Sequence, residues 1–131
     1  MFVDASALTA MLADEEDAPQ LLGRLQRTSD RITSPLAMWE TAVAIERLLG
    51  LSGQQAQEAL EQYCALLNMR IEPVPPQAFS LAMEAWSRFG KGRHKAALNF
   101  GDCFAYACAR HFGLPLLYKG RDFALTDIEP A

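Results

Sequence analysis

Four of the sixteen acidic residues in this chain stand where an acid is either costly or well placed for chemistry: Asp4, Glu40, Asp102 and Asp122. Asp4 follows the apolar pair Phe2-Val3, at the carboxyl end of a short buried strand, where open α/β sheets bind their ligands. Glu40 lies among Leu36, Ala37, Val43 and Ala44 at helical spacing, so its carboxyl sits inside an apolar stripe. A carboxylate so placed must be paired, protonated or bound to a cation. Asp102 lies in the first turn of a strongly apolar helix, and Asp122 follows Leu116-Leu117-Tyr118 in a loop. Each also has a purely structural reading. Asp4 could cap the next helix, although Ser6 offers an alternative cap. Glu40 could pair with an arginine such as Arg110. Asp102 could answer the helix dipole, with Asn99 as the cap, and Asp122 could shape a turn.

Taken together, the four acids point to chemistry. Acids at strand ends and helix starts of one parallel sheet can converge on one edge, and they cannot all remain ionised there without a cation. An all-oxygen donor set suits Mg²⁺ or Mn²⁺, which keep waters and bridge to phosphate. An ion so held activates water and steadies an in-line displacement at phosphorus. No histidine or cysteine is spaced to favour zinc.

The elements that must position these acids alternate between strands and helices. Phe2-Val3, Arg31–Thr33, Arg70–Val74 and Leu114–Tyr118 read as strands, with Thr126–Ile128 as a last short one. Ser6–Ala13 reads as a helix. The Asp14–Asp17 run caps a second, with Leu21, Leu22 and Leu25 on one face. Ser34-Pro35 starts a helix that runs to Leu49 and stops at Gly50, and Gln54–Asn68 forms another. Pro75-Pro76 opens a helix through Phe89, ended by Gly90. Asn99–Phe112 is apolar nearly all round and should be buried. This order predicts an α/β class: a short, mainly parallel sheet with helices on both faces, in a single domain over residues 1–131.

The bulk composition, half hydrophobic and 21% charged, is that of a globular chain. No run predicts a signal peptide or membrane helix. Cys64, Cys103 and Cys108 show no zinc or redox spacing and read as small buried side chains in a reducing cytosol. The net charge of −4 argues against a nucleic-acid partner on average, but charge is segregated. Arg88, Lys91, Arg93, His94 and Lys95 form a glycine-flanked basic stretch able to draw phosphates, or else a solvated loop.

These residues resemble a known family. The opening Phe2-Val3-Asp4-Ala5-Ser6-Ala7-Leu8 is similar to that of PIN domains, and the Glu40 helix to their second acidic element. The stretch from Gly92 through Asn99-Phe100-Gly101-Asp102 to Ala107 closely resembles VapC-type toxins of toxin–antitoxin pairs. Leu116–Phe123 and Thr126–Ile128 are similar to the closing elements. The resemblance spans essentially the whole chain and implies a PIN-like three-layer sandwich.

It further implies a metal-dependent endoribonuclease, its Mg²⁺ or Mn²⁺ held by Asp4, Glu40, Asp102 and Asp122. Ser6 falls on a small hydroxyl residue supporting the first acid, Asn99 stands beside the third, and Asp127 matches a further acid near the site. Ala5 departs from the polar residue many relatives carry. The implied partners are RNA, with tRNA or rRNA as usual substrates, a VapB-type antitoxin, and a second copy in a cytoplasmic homodimer; Trp39 and Trp86 are apolar surfaces one small core leaves uncovered. The competing expectations are a PIN-like nuclease acting on DNA, and a non-catalytic binding module whose acids form structural ion pairs.

Overall fold

A computed structural model describes residues 1–131. Four two-residue strands, β1 (Phe2–Val3), β2 (Ile32–Thr33), β3 (Arg70–Ile71) and β4 (Leu116–Leu117), form one sheet in the order β3-β2-β1-β4, every pairing parallel. Six helices connect them: α1 (Ala5–Leu12), α2 (Ala18–Leu25), α3 (Pro35–Leu49), α4 (Gly53–Leu66), α5 (Ala78–Phe89) and α6 (Phe100–Phe112). Because successive side chains of a strand point to opposite faces, adjacent residues feed different cores. Phe2, Ile32 and Leu116 join the side chains of α5 and α6, whereas Val3 and Leu117 join those of α1–α4. The expected arrangement, a parallel sheet with helices on both faces, is therefore the one observed.

The strands are shorter than their sequence patterns, and proline supplies the reason. Pro73 and Pro75 flank Val74 and have no N–H for a ladder, so β3 stops at Ile71. Pro115 likewise delays β4, while the Leu114 N–H turns back to the Ala109 carbonyl at the end of α6 (2.9 Å). Thr126–Ile128 is not a strand. The Thr126 hydroxyl donates to Phe123 O (2.7 Å) and accepts from Ile128 N (3.2 Å), closing a turn after a 3₁₀ helix at Phe123–Leu125. The sheet edge is met three residues later, where Leu116 N donates to Glu129 O (2.8 Å).

Helix ends follow local chemistry closely. Ser34 caps α3 and Gly50 ends it at φ +65°, the left-handed conformation that glycine takes without strain. Ser52 and Gln55 form a capping box that starts α4, a signal outside the Gln54–Asn68 expectation. Asp17 occupies the position before α2 but makes no side-chain cap; Glu15 and Asp17 instead ion-pair with Lys119. Helix α6 is buried along Ala105–Ala109 yet leaves Phe100, in its first turn, 66% exposed. All three cysteines are buried and free, and no helix is long and apolar enough to cross a membrane.

Candidate active site

The strand order reverses at β1, with β2 and β3 on one side and β4 on the other. Such a switch point opens a crevice beyond the carboxyl ends of the two diverging strands. Asp4 follows β1 there, and the loop after β4 carries Asp122. Asp4 is 4% exposed and caps α1, accepting from Ser6 N (3.0 Å) and from the Ser6 hydroxyl (2.5 Å). The structural and the chemical readings of Asp4 are thus compatible. Ser6 Oγ also accepts from Lys119 N (3.0 Å), which ties the first acid to the start of the loop bearing Asp122.

Two helices bring the other acids to the same edge. Glu40 projects from α3, half-buried, and its carboxyl is pushed up to about 7 by burial first, then by the charges of Asp4 and Asp102. Asp102 is pushed up to about 6, again by burial first; the backbone N–H of Asn99 opposes this, and the charges of Asp4 and Asp122 add to it. Burial raises the carboxyl of Asp4 as well, against the hydrogen bonds from Ser6. These effects put Asp4, Glu40 and Asp102 within electrostatic reach of one another; Asp122 is exposed, and its charge reaches Asp102. Glu40 makes no ion pair with Arg110 or any other cation.

Asn99 caps α6 as expected, but Asp102 is not left free. The two form a capping box, with Asn99 Oδ1 accepting from Asp102 N (2.9 Å) and Asp102 Oδ2 accepting from Asn99 N (2.8 Å). One Asp102 oxygen is thereby fixed and the other remains available. No three acid, histidine or cysteine side chains close into a compact ligand group as they stand. Uncompensated carboxylates repel, and two of these are held in caps. An open, all-oxygen set still fits Mg²⁺, which binds through one or two carboxylates and fills its octahedron with water and phosphate.

Asp127, expected near the site, is committed to two partners. It accepts from the Tyr106 hydroxyl (2.7 Å) and from Arg88 (2.8 Å), at least a turn further along α6 than Asp102. Burial alone would raise its carboxyl, but those two partners outweigh it and hold the group below the ordinary range. The residue pins the C-terminal segment to α5 and α6. Arg88 is committed to the same network, pairing also with Glu84 (3.1 Å), so it is not a free phosphate contact. Lys91, Arg93, His94 and Lys95 are exposed. Their loop is anchored by buried Ala96 and Leu98, by the Lys91 N to Leu98 O bond (3.0 Å), and by His94 Nδ1 accepting from Ala96 N (3.1 Å). Gly90 lets this loop leave α5 directly over Trp86, where a Cβ would stand 2.7 Å from the indole. The loop leads into the Asn99 cap, and Lys91 borders a groove with Asn99 and Phe100, next to the acidic edge. Sequence reasoning missed the Ser6–Lys119 tie, because it depends on β1 and β4 pairing side by side.

The PIN-domain family model matches residues 1–129. A VapC ribonuclease of Mycolicibacterium smegmatis is 41% identical over 128 residues, covering 98% of this chain and 97% of that protein. Ribonuclease VapC30 of Mycobacterium tuberculosis is 39% identical over 128 residues, covering 98% of this chain and 95% of its own. A VapC ribonuclease of Rhizobium meliloti is 35% identical, covering 97% and 98%. Among solved structures, Mycobacterium tuberculosis VapC20, described as a toxin that cleaves the sarcin–ricin loop, superposes with a TM-score of 0.75 at 20% identity over 99% of this chain and 97% of its own. The chain belongs to the PIN-domain family and, within it, to the VapC ribonucleases, the endoribonuclease toxins of toxin–antitoxin systems.

Proposed function

We propose that the chain hydrolyses RNA phosphodiester bonds at the acidic edge of its sheet, with Asp4, Glu40, Asp102 and Asp122 holding Mg²⁺ or Mn²⁺. One observation carries this reading: the half-buried Glu40 carboxyl lies against Gly101, next to Asp102, with no protein cation paired to it, and burial, then the charges of Asp4 and Asp102, push it up. A divalent ion is the natural counter-charge for such a set, and its hard-oxygen preference matches the donors. When bound, it supplies an acidified water and positive charge for in-line displacement at phosphorus. The protein's own part is positional. Ser6 fixes the Asp4 carboxyl and ties it to the β4 loop, the Asn99 box fixes Asp102, and Lys91, Arg93 and Lys95 offer phosphate contacts that offset the net negative charge.

The substrate we infer is a structured cellular RNA, tRNA or rRNA, cleaved in the cytoplasm; the ribosomal target of VapC20 supports the rRNA class. The partners are a VapB-type antitoxin and a second copy of the chain. Two separate apolar surfaces support two partners: Trp39, 64% exposed on α3, and Phe79 with Phe100, 70% and 66% exposed on α5 and α6. Trp86 is half-buried against the core and contributes less than expected.

The test is cleavage of structured RNA with Mg²⁺ or Mn²⁺ against EDTA, with end-group analysis. We expect ion-dependent cleavage leaving a 5′-phosphate and a 3′-hydroxyl. Asp4→Asn and Asp102→Asn should abolish it while leaving the melting temperature nearly unchanged, since each keeps side-chain volume. Full activity in EDTA, or a 2′,3′-cyclic phosphate product, would make the 2′-hydroxyl the nucleophile and refute the scheme. Equal digestion of DNA would refute the substrate class.

A further inference from the structure

Gly101 sits buried in the first turn of α6, between exposed Phe100 and Asp102. Its backbone is ordinary right-handed helix, not one of the positive-φ glycines, so no conformational demand accounts for it. Alanine would favour the helix more. The space around it gives the reason. A Cβ at position 101 would stand 2.5 Å from both Cδ and Oε1 of Glu40, and closer still to Oε2. Real Cβ contacts essentially never fall below 3.0 Å, so the whole carboxyl group would have to withdraw. We propose that Gly101 is a positioning residue: its missing side chain is the seat in which the Glu40 carboxylate crosses from α3 to the first turn of α6, beside Asp102. This rests on the metal reading above and adds a residue that touches neither ion nor substrate.

Glu40 is the far end of a flexible side chain, so the conflict with alanine resolves by rotation of Glu40 toward solvent and not by distortion of the helices. The fold survives and the ligand is lost. A shift of more than about 0.5 Å already exceeds the tolerance of a working constellation, and Mg²⁺ accepts only near-ideal octahedral geometry with bonds of about 2.0–2.1 Å.

The experiment is a double-mutant cycle on the full chain, using Gly101→Ala, Glu40→Ala and the pair. Mn²⁺ affinity is read by titration calorimetry and folding by the melting temperature in EDTA. Gly101→Ala should weaken Mn²⁺ binding by roughly 10-fold or more, the scale seen when a group that orients a ligand is removed. The pair should bind no more weakly than Glu40→Ala alone, because Gly101 acts only through Glu40. Wild-type affinity in Gly101→Ala, or two effects that multiply, would overturn the inference. Should Gly101→Ala lower the melting temperature, the pair must restore it, since trimming Glu40 frees the space; failure to restore it would mean that Gly101 serves packing alone. A wild-type chain that takes up no Mn²⁺ at millimolar concentration would instead remove the metal reading, and this inference with it.

Discussion

Glu40 is the acid whose charge the fold tolerates least, and its titration links the site to stability. Its carboxyl stands at about 7 in the folded, ion-free chain against an ordinary 4.5. Between those values the folded chain keeps a proton that the unfolded chain has released. Stability from this group is therefore present below pH 4.5 and is lost as pH rises through 7. In EDTA, we expect the melting temperature of wild type to fall more steeply than that of Glu40→Gln across this window, with the two curves converging at the acid end. Parallel curves would show that Glu40 is not strained by its neighbours. Added Mn²⁺ should raise the wild-type melting temperature, and more so toward pH 8, because the ion competes with protons for the same oxygens.

At the scale of elements, the loop between α5 and α6 is the only dense positive segment the fold leaves free. Arg88 has been withdrawn from it by Glu84 and Asp127, while Lys91, Arg93 and Lys95 remain exposed. Phosphate contacts release counterions, with a log–log salt slope near −0.7 per contact for single strands. In an Asp4→Asn background, replacing the three by alanine should flatten the slope of RNA affinity against salt by roughly 2 if all three touch phosphate. Affinity should drop alike for all sequences, since phosphate contacts carry no sequence information. An unchanged slope would move the RNA path to Arg110 and Arg121; Lys119 is held by Glu15 and Asp17.

For the whole molecule, Trp39 on α3 and the pair Phe79 and Phe100 on α5 and α6 line two different grooves. We expect Trp39→Glu and Phe79→Glu to have different effects. One should abolish self-association, read by light scattering at micromolar concentration, and the other should abolish antitoxin binding. Loss of both properties in both variants would refute two independent surfaces, and a wild-type monomer would refute the homodimer.

Short-range features could be read directly from the residues. The caps at Ser34 and Asn99, the helix stop at Gly50, and the apolar setting of Glu40 were legible because each depends on residues a turn or less apart. The alternation of strands and helices gave the class, since a parallel sheet is what such an order can build. Pairing across long separations depends on how the folded elements pack. The β3-β2-β1-β4 order sets β4 beside β1 and so joins Ser6 to Lys119, 113 residues apart. Asp127 and Arg88 each read as functional in isolation, yet packing of the C-terminal turn against α5 brings them together as a salt bridge. The place of Gly101 under the Glu40 carboxyl exists only once α3 and α6 are packed together. Its meaning is an exclusion of volume between two helices, which no one-dimensional pattern can carry.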